Sequence, residues 1–492
     1  VVACDEFSGK RVTVFGLNRS GLAVAKLLDA LGAIVAVTDL RLPDALSSEV
    51  AALKGVGATS EQNSCFKFHL GGHGEGCIAH ADCIVVSPGV PLDIPILCAA
   101  QARNIPILAE LEVAARVCSA PIVAITGTKG KSTTTLLTAA ILKAGETFAK
   151  VCVAGNIGVP LSAEVQHLTS RDIVVVEASS FQLESTVTFQ PAVSVVLNLS
   201  RDHLDRHRTM WAYCKAKQKI YQNQTAADWI VLNCSDARVA RFAEFTSAKA
   251  VYFADAPPTR DTSRSVPQAY KQGRGLFANL NGVAQWICDV DDIPLRGAHN
   301  VRNVLAAMAV GQIFEVTPAQ MRAALQGFDR LHPALAHAFE PVRMLNGVEF
   351  INDSKATNVA AVKAALESLV AGVCNPDTRQ DHCVIRPQRR ILLIMGGYDK
   401  GNDYTPLSQM VQAYVKGVVL LGAHTQQIQK TLAKLTNIWN TRTMAEAVQV
   451  AYTHATPGDI VLLSPANASF DMYPDYKARG AAFKEAVNAL ES

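Results

Sequence analysis

Residues 123–137 read VAITGTKGKSTTTLL: an apolar run, then Gly127-Thr128-Lys129-Gly130-Lys131-Ser132-Thr133, then a stretch able to wind into a helix. Those residue types in that order hold a phosphate. Backbone N–H groups at a helix start wrap the oxygens, a Lys ammonium reaches the outer ones, and a Ser hydroxyl can ligate Mg²⁺. The general phosphate loop is G-x-x-x-x-G-K-[ST]; here two fewer residues separate the glycines. A plain glycine turn before a helix looks similar. The β run ahead of the loop and the Ser-Thr-Thr-Thr behind it favour a nucleotide.

Two further segments offer what a nucleotide-bound metal needs. In VVVEASSFQLE, Glu177 ends an apolar strand, where a carboxylate faces the ligand edge of a sheet; alone it also reads as a helix N-cap acid. In NLSRDHLDRHRTM, Asp202, His203, Asp205 and His207 crowd a short span. On a helix, His203 and His207 share a face, as in some zinc sites; alone the span also reads as a solvated charged turn. In YCKAKQKIY, Lys215, Lys217 and Lys219 fall at every second position, which reads as an exposed basic helix face. Spacing singles out none of the three.

The elements that must carry these groups recur along the chain. Its 492 residues are too many for one core, so two to four domains are expected. Hydrophobic content of 49% and charged content of 18% describe a packed globular chain, and a net charge of +3 suggests no nucleic-acid or polybasic membrane partner. Twelve scattered cysteines without a C-x-x-C pair point to a reducing cytoplasm rather than a disulfide framework or structural zinc. No apolar run is long enough to span a membrane. VVACDEFSGK does not read as a signal peptide, and the absent initiator Met suggests that a few residues precede Val1.

Apolar runs alternate with helical stretches in three blocks, which predicts α/β domains with parallel sheets. The first opens with RVTVFGLNRSGLAVAKLLDALGAIVAVTDL (11–40), a strand, glycine turn, helix and strand ending at Asp39. Gly16 and Gly21 fit a dinucleotide fingerprint, but Asn18 occupies its middle position, where a side chain obstructs a pyrophosphate. A nicotinamide-dependent oxidoreductase is therefore disfavoured. ADCIVVSPGVP (81–91) runs from a strand into a turn. The second block starts at Pro121, with later strands at 172–180 and 193–200. The third begins near 333, with four apolar runs ending in polar residues within 347–358, 390–401, 417–423 and 459–473.

Taken in order, GTKGKST, EASSFQLE, DHLDRH, AKQKIY, GAHNVRN (297–303), NDSKATN (352–358) and LSPANASFD (463–471) resemble the Mur ligases. These are the ATP-dependent amide-forming enzymes of peptidoglycan precursor synthesis. The resemblance implies an α/β fold in three domains: N-terminal Rossmann-like (1–109), central P-loop ATPase-like with a parallel sheet (110–332), and C-terminal Rossmann-like (333–492). EASSFQLE and NDSKATN point to the member that joins D-glutamate to UDP-N-acetylmuramoyl-L-alanine through an acyl phosphate. The alternative is another Mur-type or folylpolyglutamate-type ligase using a different amino acid. A cytoplasmic monomer, without nucleic-acid or membrane partners, is expected.

The resemblance also implies roles. Gly127 to Thr133, Asn303 and Asp353 bind ATP, with Lys131 on the β/γ phosphates and Lys355 near the reacting centre. Ser132 and Glu177 hold one Mg²⁺; His203 and Lys217 serve a second, Lys217 as a carbamate formed with CO₂. Arg19, Ser20, Asp39, Arg41, Ser87, Asn156, Gln182 and Arg206 match the UDP-substrate positions. Thr357, Lys400, Ser469, Phe470 and Tyr476 match those of the incoming amino acid. The chain departs from the family at Lys129 (usually Asn), at Leu40 (a Thr that helps hold the uracil) and at Ala338, where an Arg is expected. Arg330 and Arg343 are candidate substitutes. The polar insertion 371–390 has no assigned role.

Overall fold

A computed structural model describes residues 6–57, 66–257, 267–280, 282–330, 332–371, 389–399 and 401–491. Most of the 371–390 insertion, and Lys400, lie outside the described residues. The chain folds as two compact units, one of Val1–Ile293 with Arg302–Phe328, the other of Pro294–Val301 with Asp329–Ser492.

The first unit holds two sheets. β1 (Arg11–Phe15), β2 (Ile34–Asp39), β3 (Lys67–Leu70), β4 (Cys83–Val86) and β5 (Ile107–Ala109) form a parallel sheet in the order β3-β2-β1-β4-β5. The order reverses beside β1, so the loops after β1 and β4 flank a crevice of the kind that takes ligands in open α/β sheets. The second sheet contains β6 (Ile122–Thr126), β7 (Val151–Gly155), β8 (Ile173–Glu177), β9 (Val193–Val196), β10 (Trp229–Asn233), β11 (Lys249–Ala254), β12 (Pro267–Gln272), β13 (Gly275–Leu280) and β14 (Val283–Asp289). Its order is β14-β13-β12-β11-β10-β9-β6-β8-β7, parallel from β7 through β12 and closed by an antiparallel β12-β13-β14 meander. β6 and β8 are buried at every position, as strands covered on both faces must be. That is why they read as unbroken apolar runs rather than alternations.

The expected division between a first and a second block is bridged by packing. One continuous apolar cluster includes Val12, Val37 and Leu108 from the first sheet and Ala124, Val174 and Ile230 from the second. The helix Glu110–Val117 lies in it, burying Leu111, Val113 and Ala114. Its two buried acids face polar backbone. Glu112 accepts from the amides of Val187, Thr188 and Phe189 at 2.9, 2.8 and 3.0 Å, and pairs with Arg116 at 2.8 Å.

The second unit is built on β15 (Glu340–Leu345), β16 (Val348–Asn352), β17 (Ile391–Gly396), β18 (Val415–Leu421), β19 (Asn437–Thr441) and β20 (Ile460–Ala466), ordered β15-β16-β20-β17-β18-β19. All neighbours are parallel except the β15–β16 hairpin. Side chains alternate between two cores. Leu393 and Met395 enter one cluster, while Leu392 and Ile394 enter the other, the period of two that a pleated strand imposes. Each of the four strand-like runs expected in this block contains a strand. No described helix is long and apolar enough to cross a membrane.

Candidate active site

The phosphate loop leaves β6 and enters the 14-residue helix Lys131–Ala144 through Gly130, which sits at φ +85°. A Cβ at Gly130 would stand 2.2 Å from Asn303 Oδ1. Glycine is therefore required twice, by the backbone angle and by Asn303, a buried side chain pressed against the loop. Two residues far apart in sequence, both expected at the nucleotide, are thus brought together. Asn198 braces the loop from the end of β9: its Oδ1 accepts from Lys129 N and its Nδ2 donates to Lys129 O, both at 2.9 Å. Thr128 Oγ1 accepts from Ser200 N at 3.0 Å and meets the Tyr213 hydroxyl at 3.1 Å. Lys131 Nζ donates to Gly127 O and Thr128 O, each at 3.1 Å. The Lys129 ammonium lies 3.6 Å from Asp202. Ser132 is buried in the first helical turn, beside half-buried Thr133. The loop therefore offers helix-start N–H groups, two ammoniums and a hydroxyl, the chemistry of a polyphosphate site.

Glu177 closes β8 with 2% of its surface exposed. Its Oε1 accepts from Asn156 Nδ2 at 2.6 Å, while Oε2 is buried without a hydrogen-bond partner. A carboxylate oxygen in that state lacks the compensation that buried polar groups normally find. A hard cation supplies it, so Glu177 fits Mg²⁺. Among the described residues no three His, Cys, Asp or Glu side chains gather on one point.

Lys217 corrects the reading of its segment as an exposed basic face. It is 1% exposed, with Nζ donating to Gly127 O at 2.8 Å and Thr126 Oγ1 at 3.2 Å. Burial, then the Lys131 charge, drives its pKa well below the usual ammonium value. Lys219 is half-buried and donates to Glu184 O and Thr186 O at 2.7 and 3.2 Å; only Lys215 is exposed. Alternate positions on a helix lie about 200° apart, so a period-two lysine run cannot form one face.

His203 and His207 do not form a zinc pair. The helix is only Leu204–His207, and His203 precedes it at φ +53°. His207 is buried, 2.9 Å from Ser180 Oγ. His203 packs on Phe181 at 4.9 Å and lies near Tyr213 at 6.4 Å. Desolvation lowers its pKa, with Asp202 opposing and Lys131, Lys129 and Lys217 adding to the fall. With 48% of the side chain open to solvent, that desolvation is partial.

The residues matched to the UDP substrate gather within the same unit in two groups. In the crevice beside β1, Asp39 ends β2 and accepts from Leu17 N at 2.7 Å and Arg41 N at 2.9 Å, and it pairs with the Arg41 guanidinium at 3.0 Å. Burial raises its pKa, but the Arg41 side chain and the two amides outweigh that and hold it at about 2. Ser87 donates to Gly16 O at 2.7 Å, tying the loops after β4 and β1. Arg19 and Ser20 open the helix Arg19–Ala30, and the Arg19 guanidinium donates to Gly158 O. The second group lies at the ends of β7 and β8. Asn156 is held by Glu177, and Gln182 forms a capping box with Ser179. Arg206 donates to Pro88 O and Val90 O at 3.0 and 2.9 Å, pairs with Glu184 at 3.0 Å, and lies over the Phe181 ring. It clamps the loop after β4 onto the segment carrying His203.

In the second unit, Asp353 accepts from Phe339 N at 3.1 Å and Ser464 Oγ at 3.0 Å. Lys355 N donates to His337 O and Thr357 N to Lys355 O, each at 2.9 Å. Ser469 is buried and Phe470 is 68% exposed. Tyr476 opens the helix Tyr476–Asn488, and its carbonyl accepts from Ser354 Oγ at 2.8 Å. Arg343 caps the end of that helix, donating to the carbonyls of Val487 and Leu490 at 3.1 and 3.0 Å; Arg330 is exposed. Arg479 escaped the sequence reading, being one more charge in a charged helix. It is buried, with bonds to Ser354 Oγ, Ser354 O and Asn467 O at 3.0, 2.9 and 3.0 Å, and burial lowers its pKa to about 10. Asn198 and Glu110 were also missed. Asn198 follows an apolar strand at its carboxyl end, a position that signals a loop-shaping role.

Three family descriptions match: the Mur ligase MurD-like N-terminal domain over residues 10–109, the Mur ligase middle domain over 125–311, and the Mur ligase glutamate ligase domain over 339–467. UDP-N-acetylmuramoylalanine–D-glutamate ligase of Geotalea uraniireducens is 38% identical over 490 residues, covering 99% of both chains. The protein of that name from Acidobacterium capsulatum is 39% identical over 487 residues, covering 98% of this chain and 97% of its own. Among solved structures, the fold is shared with a pseudomurein peptide ligase type C from Methanothermus fervidus (TM-score 0.57, 19% identity, 98% of this chain and 100% of that one). It is shared also with UDP-N-acetylmuramate-alanine ligase MurC from Thermotoga maritima (TM-score 0.57, 17% identity, 98% and 99%). With relatives this similar along its whole length, and a phosphate loop, buried acid and buried lysine assembled at one sheet edge, the chain belongs to the Mur ligase family as an ATP-dependent ligase.

Proposed function

We propose that the chain joins D-glutamate to UDP-N-acetylmuramoyl-L-alanine at the expense of ATP, in peptidoglycan precursor synthesis. Full-length similarity to several D-glutamate ligases is the observation that carries the substrate pair. We read three domains, 1–109 for the UDP substrate, 110–332 for ATP and 333–492 for the amino acid, in a cytoplasmic monomer.

A carboxylate is a poor acyl donor because its leaving group would be oxide. Transfer of the ATP γ-phosphoryl makes an acyl phosphate; the amine then attacks the carbonyl carbon, the C–O bond to phosphate breaks, and the amine loses a proton. Charge gathers on phosphoryl oxygens in the first step, so positioning and electrostatics dominate. Lys131 turns from the loop carbonyls towards the β/γ phosphates. The N–H groups after Gly130 hold the oxygens, and Asn303 fixes the nucleotide against the loop, with Asp353 contacting it and Lys355 near the reacting carboxylate. Ser132 and Glu177 would hold one Mg²⁺, and His203 with Lys217, carbamylated, would serve a second; such ions would supply positive charge against the phosphates. Burial favours the uncharged Lys217 amine, and a free amine is what CO₂ must meet: the N–C bond forms, one proton leaves, and an anionic oxygen ligand results. Asp39 and Arg41 read the uridine end. Thr357, Ser469, Phe470 and Tyr476 receive D-glutamate, joined by Lys400, because the two carboxylates of that substrate need a cation.

The test is phosphate release from ATP, with Mg²⁺ and bicarbonate, under each substrate pairing. Release that requires both UDP-N-acetylmuramoyl-L-alanine and D-glutamate, with L-glutamate and meso-diaminopimelate inert, is expected. Release driven by another amino acid moves the substrate and keeps the ligase; no release under any pairing overturns the reading.

A further inference from the structure

The loops after β17, β18 and β20 meet at the carboxyl edge of the C-terminal sheet, and one side chain laces them. We propose that Asp471 is a positioning residue for the incoming amino acid, holding the Ser469–Tyr473 turn against the loop after β18; this rests on the reading of Ser469 and Phe470 as amino-acid contacts.

The turn is set internally by one carbonyl. Ser469 O accepts from Met472 N at 3.0 Å and Tyr473 N at 2.8 Å, which buries Ser469 and leaves Phe470 exposed. On one side the turn is anchored through Ala468 O, which accepts from Tyr398 N at 2.9 Å. On the other the anchor is Asp471: its Oδ2 accepts from Ala423 N at 3.1 Å. Gly422 stands at φ +103°, and a Cβ there would lie 2.5 Å from the same Oδ2. The loops on either side also touch each other, since the Tyr398 and His424 rings meet edge to face at 5.1 Å.

Among the described residues Asp471 Oδ1 is buried without a hydrogen-bond partner, in a small crevice whose lining includes Gly397, Tyr473 and Arg479. Arg479 directs its donors to Ser354 and Asn467, neither a carboxylate, and Asp471 is a neighbouring negative charge. The carboxylate thus serves the turn twice, as acceptor for the β18 loop and as counter-charge to a buried guanidinium. Without it, the turn loses its tie to the loop after β18 and keeps the anchor through Ala468. A substrate-holding hydroxyl that drifts by a fraction of an ångström binds its ligand less well.

The experiment compares wild type, Asp471→Ala and Asp471→Asn by steady-state kinetics on all three substrates. In Asp471→Ala, KM for D-glutamate should rise about tenfold, with kcat within about threefold and KM for ATP and UDP-N-acetylmuramoyl-L-alanine unchanged. Asp471→Asn keeps an acceptor for Ala423 N–H and should restore KM to within about threefold of wild type. A general structural defect would raise all three KM values together; that result, or an unchanged KM for D-glutamate, overturns the inference. Should Asp471→Ala not fold, Asp471→Ser, too short to reach Ala423 N, takes its place. Wild type inert with D-glutamate is a failure of the substrate reading, and the inference falls with it. Wild type active with D-glutamate beside an unaffected Asp471→Ala is a failure of the inference alone.

Discussion

Replacing Glu177 by Gln should make the protein more stable and less active. In the folded chain Oε2 is buried and unbonded, while Oε1 keeps the Asn156 amide at 2.6 Å. A buried polar atom left unsatisfied costs about 1–3 kcal/mol, and more when charged. The amide keeps the shape and the Asn156 bond, and its unbonded NH₂ is neutral. Some of the gain is returned, because Glu177 also favours the charge on nearby Lys217. A net gain of about 1 kcal/mol remains, or about 2–4 °C in the melting of a domain this size. The Mg²⁺-dependent part of ligand stabilisation should go the other way. A ligand at a hundred times its Kd stabilises the wild type by about 2.7 kcal/mol; in Glu177→Gln, Mg²⁺ should add little beyond the nucleotide alone. Ligation should fall at least about 100-fold, the scale for losing one preorganised electrostatic group. Thermal melting with and without ADP and Mg²⁺, beside phosphate release, reads all three. A variant that melts below wild type without metal, or that keeps the Mg²⁺ increment, refutes the reasoning.

Gly130→Ala meets both the positive φ and Asn303 Oδ1 at 2.2 Å. The left-handed angle alone costs about 1–2 kcal/mol, so ADP titrated calorimetrically should bind at least about tenfold more weakly, while UDP-N-acetylmuramoyl-L-alanine binds as before. Glu110 is fully buried, with Oε1 accepting from Ser162 N at 2.8 Å and Oε2 unbonded; burial raises its pKa despite the Ser162 bonds. The folded chain then holds a proton that the unfolded chain has lost. Wild-type stability should fall as pH rises from about 4.3 towards the raised folded value, and Glu110→Gln should remove that slope. Melting temperatures across pH 4 to 8, converging at the acid end and favouring the variant at the alkaline end, are the expected pattern. Ligation by degassed enzyme should recover with bicarbonate, and Lys217→Arg, which cannot carry a carbamate, should lose activity at least about 100-fold and be indifferent to bicarbonate.

Legibility in the sequence followed burial. β6, β8 and β17 are covered on both faces, so their apolar runs could be read directly, and the polar residues ending them had to lie at one sheet edge. Gly127, Lys131 and Glu177 were legible because loop chemistry and strand position agree in one short window. The join of the first two sheets was not legible. It depends on Leu111, Val113 and Ala114 filling one cluster from a helix whose Arg and buried acids look like any surface stretch. Glu112 illustrates the difficulty: a buried acid is recognisable only by the three amides facing it, and those come from residues 187–189.

Lys217 marks the limit most clearly. Its neighbours at 215 and 219 have the same residue type and the same spacing, and nothing local separates an exposed amine from a carbonyl-bound one or from one sealed in the core. What separates them is the direction each points from the helix Met210–Gln218 or its end, and what stands there. For Lys217 this is the end of β6, with Gly127 O and Thr126 Oγ1 as acceptors. The same β6 end starts the phosphate loop that places Lys131, the cation that further disfavours a charge on Lys217. Burial and a neighbouring cation both push the Lys217 amine towards its uncharged form, which makes no salt bridge. It is suited to nucleophilic attack on CO₂. The strand end that starts the proposed ATP loop thus also holds the lysine that the proposed second metal site requires, and a change to either should be felt at both.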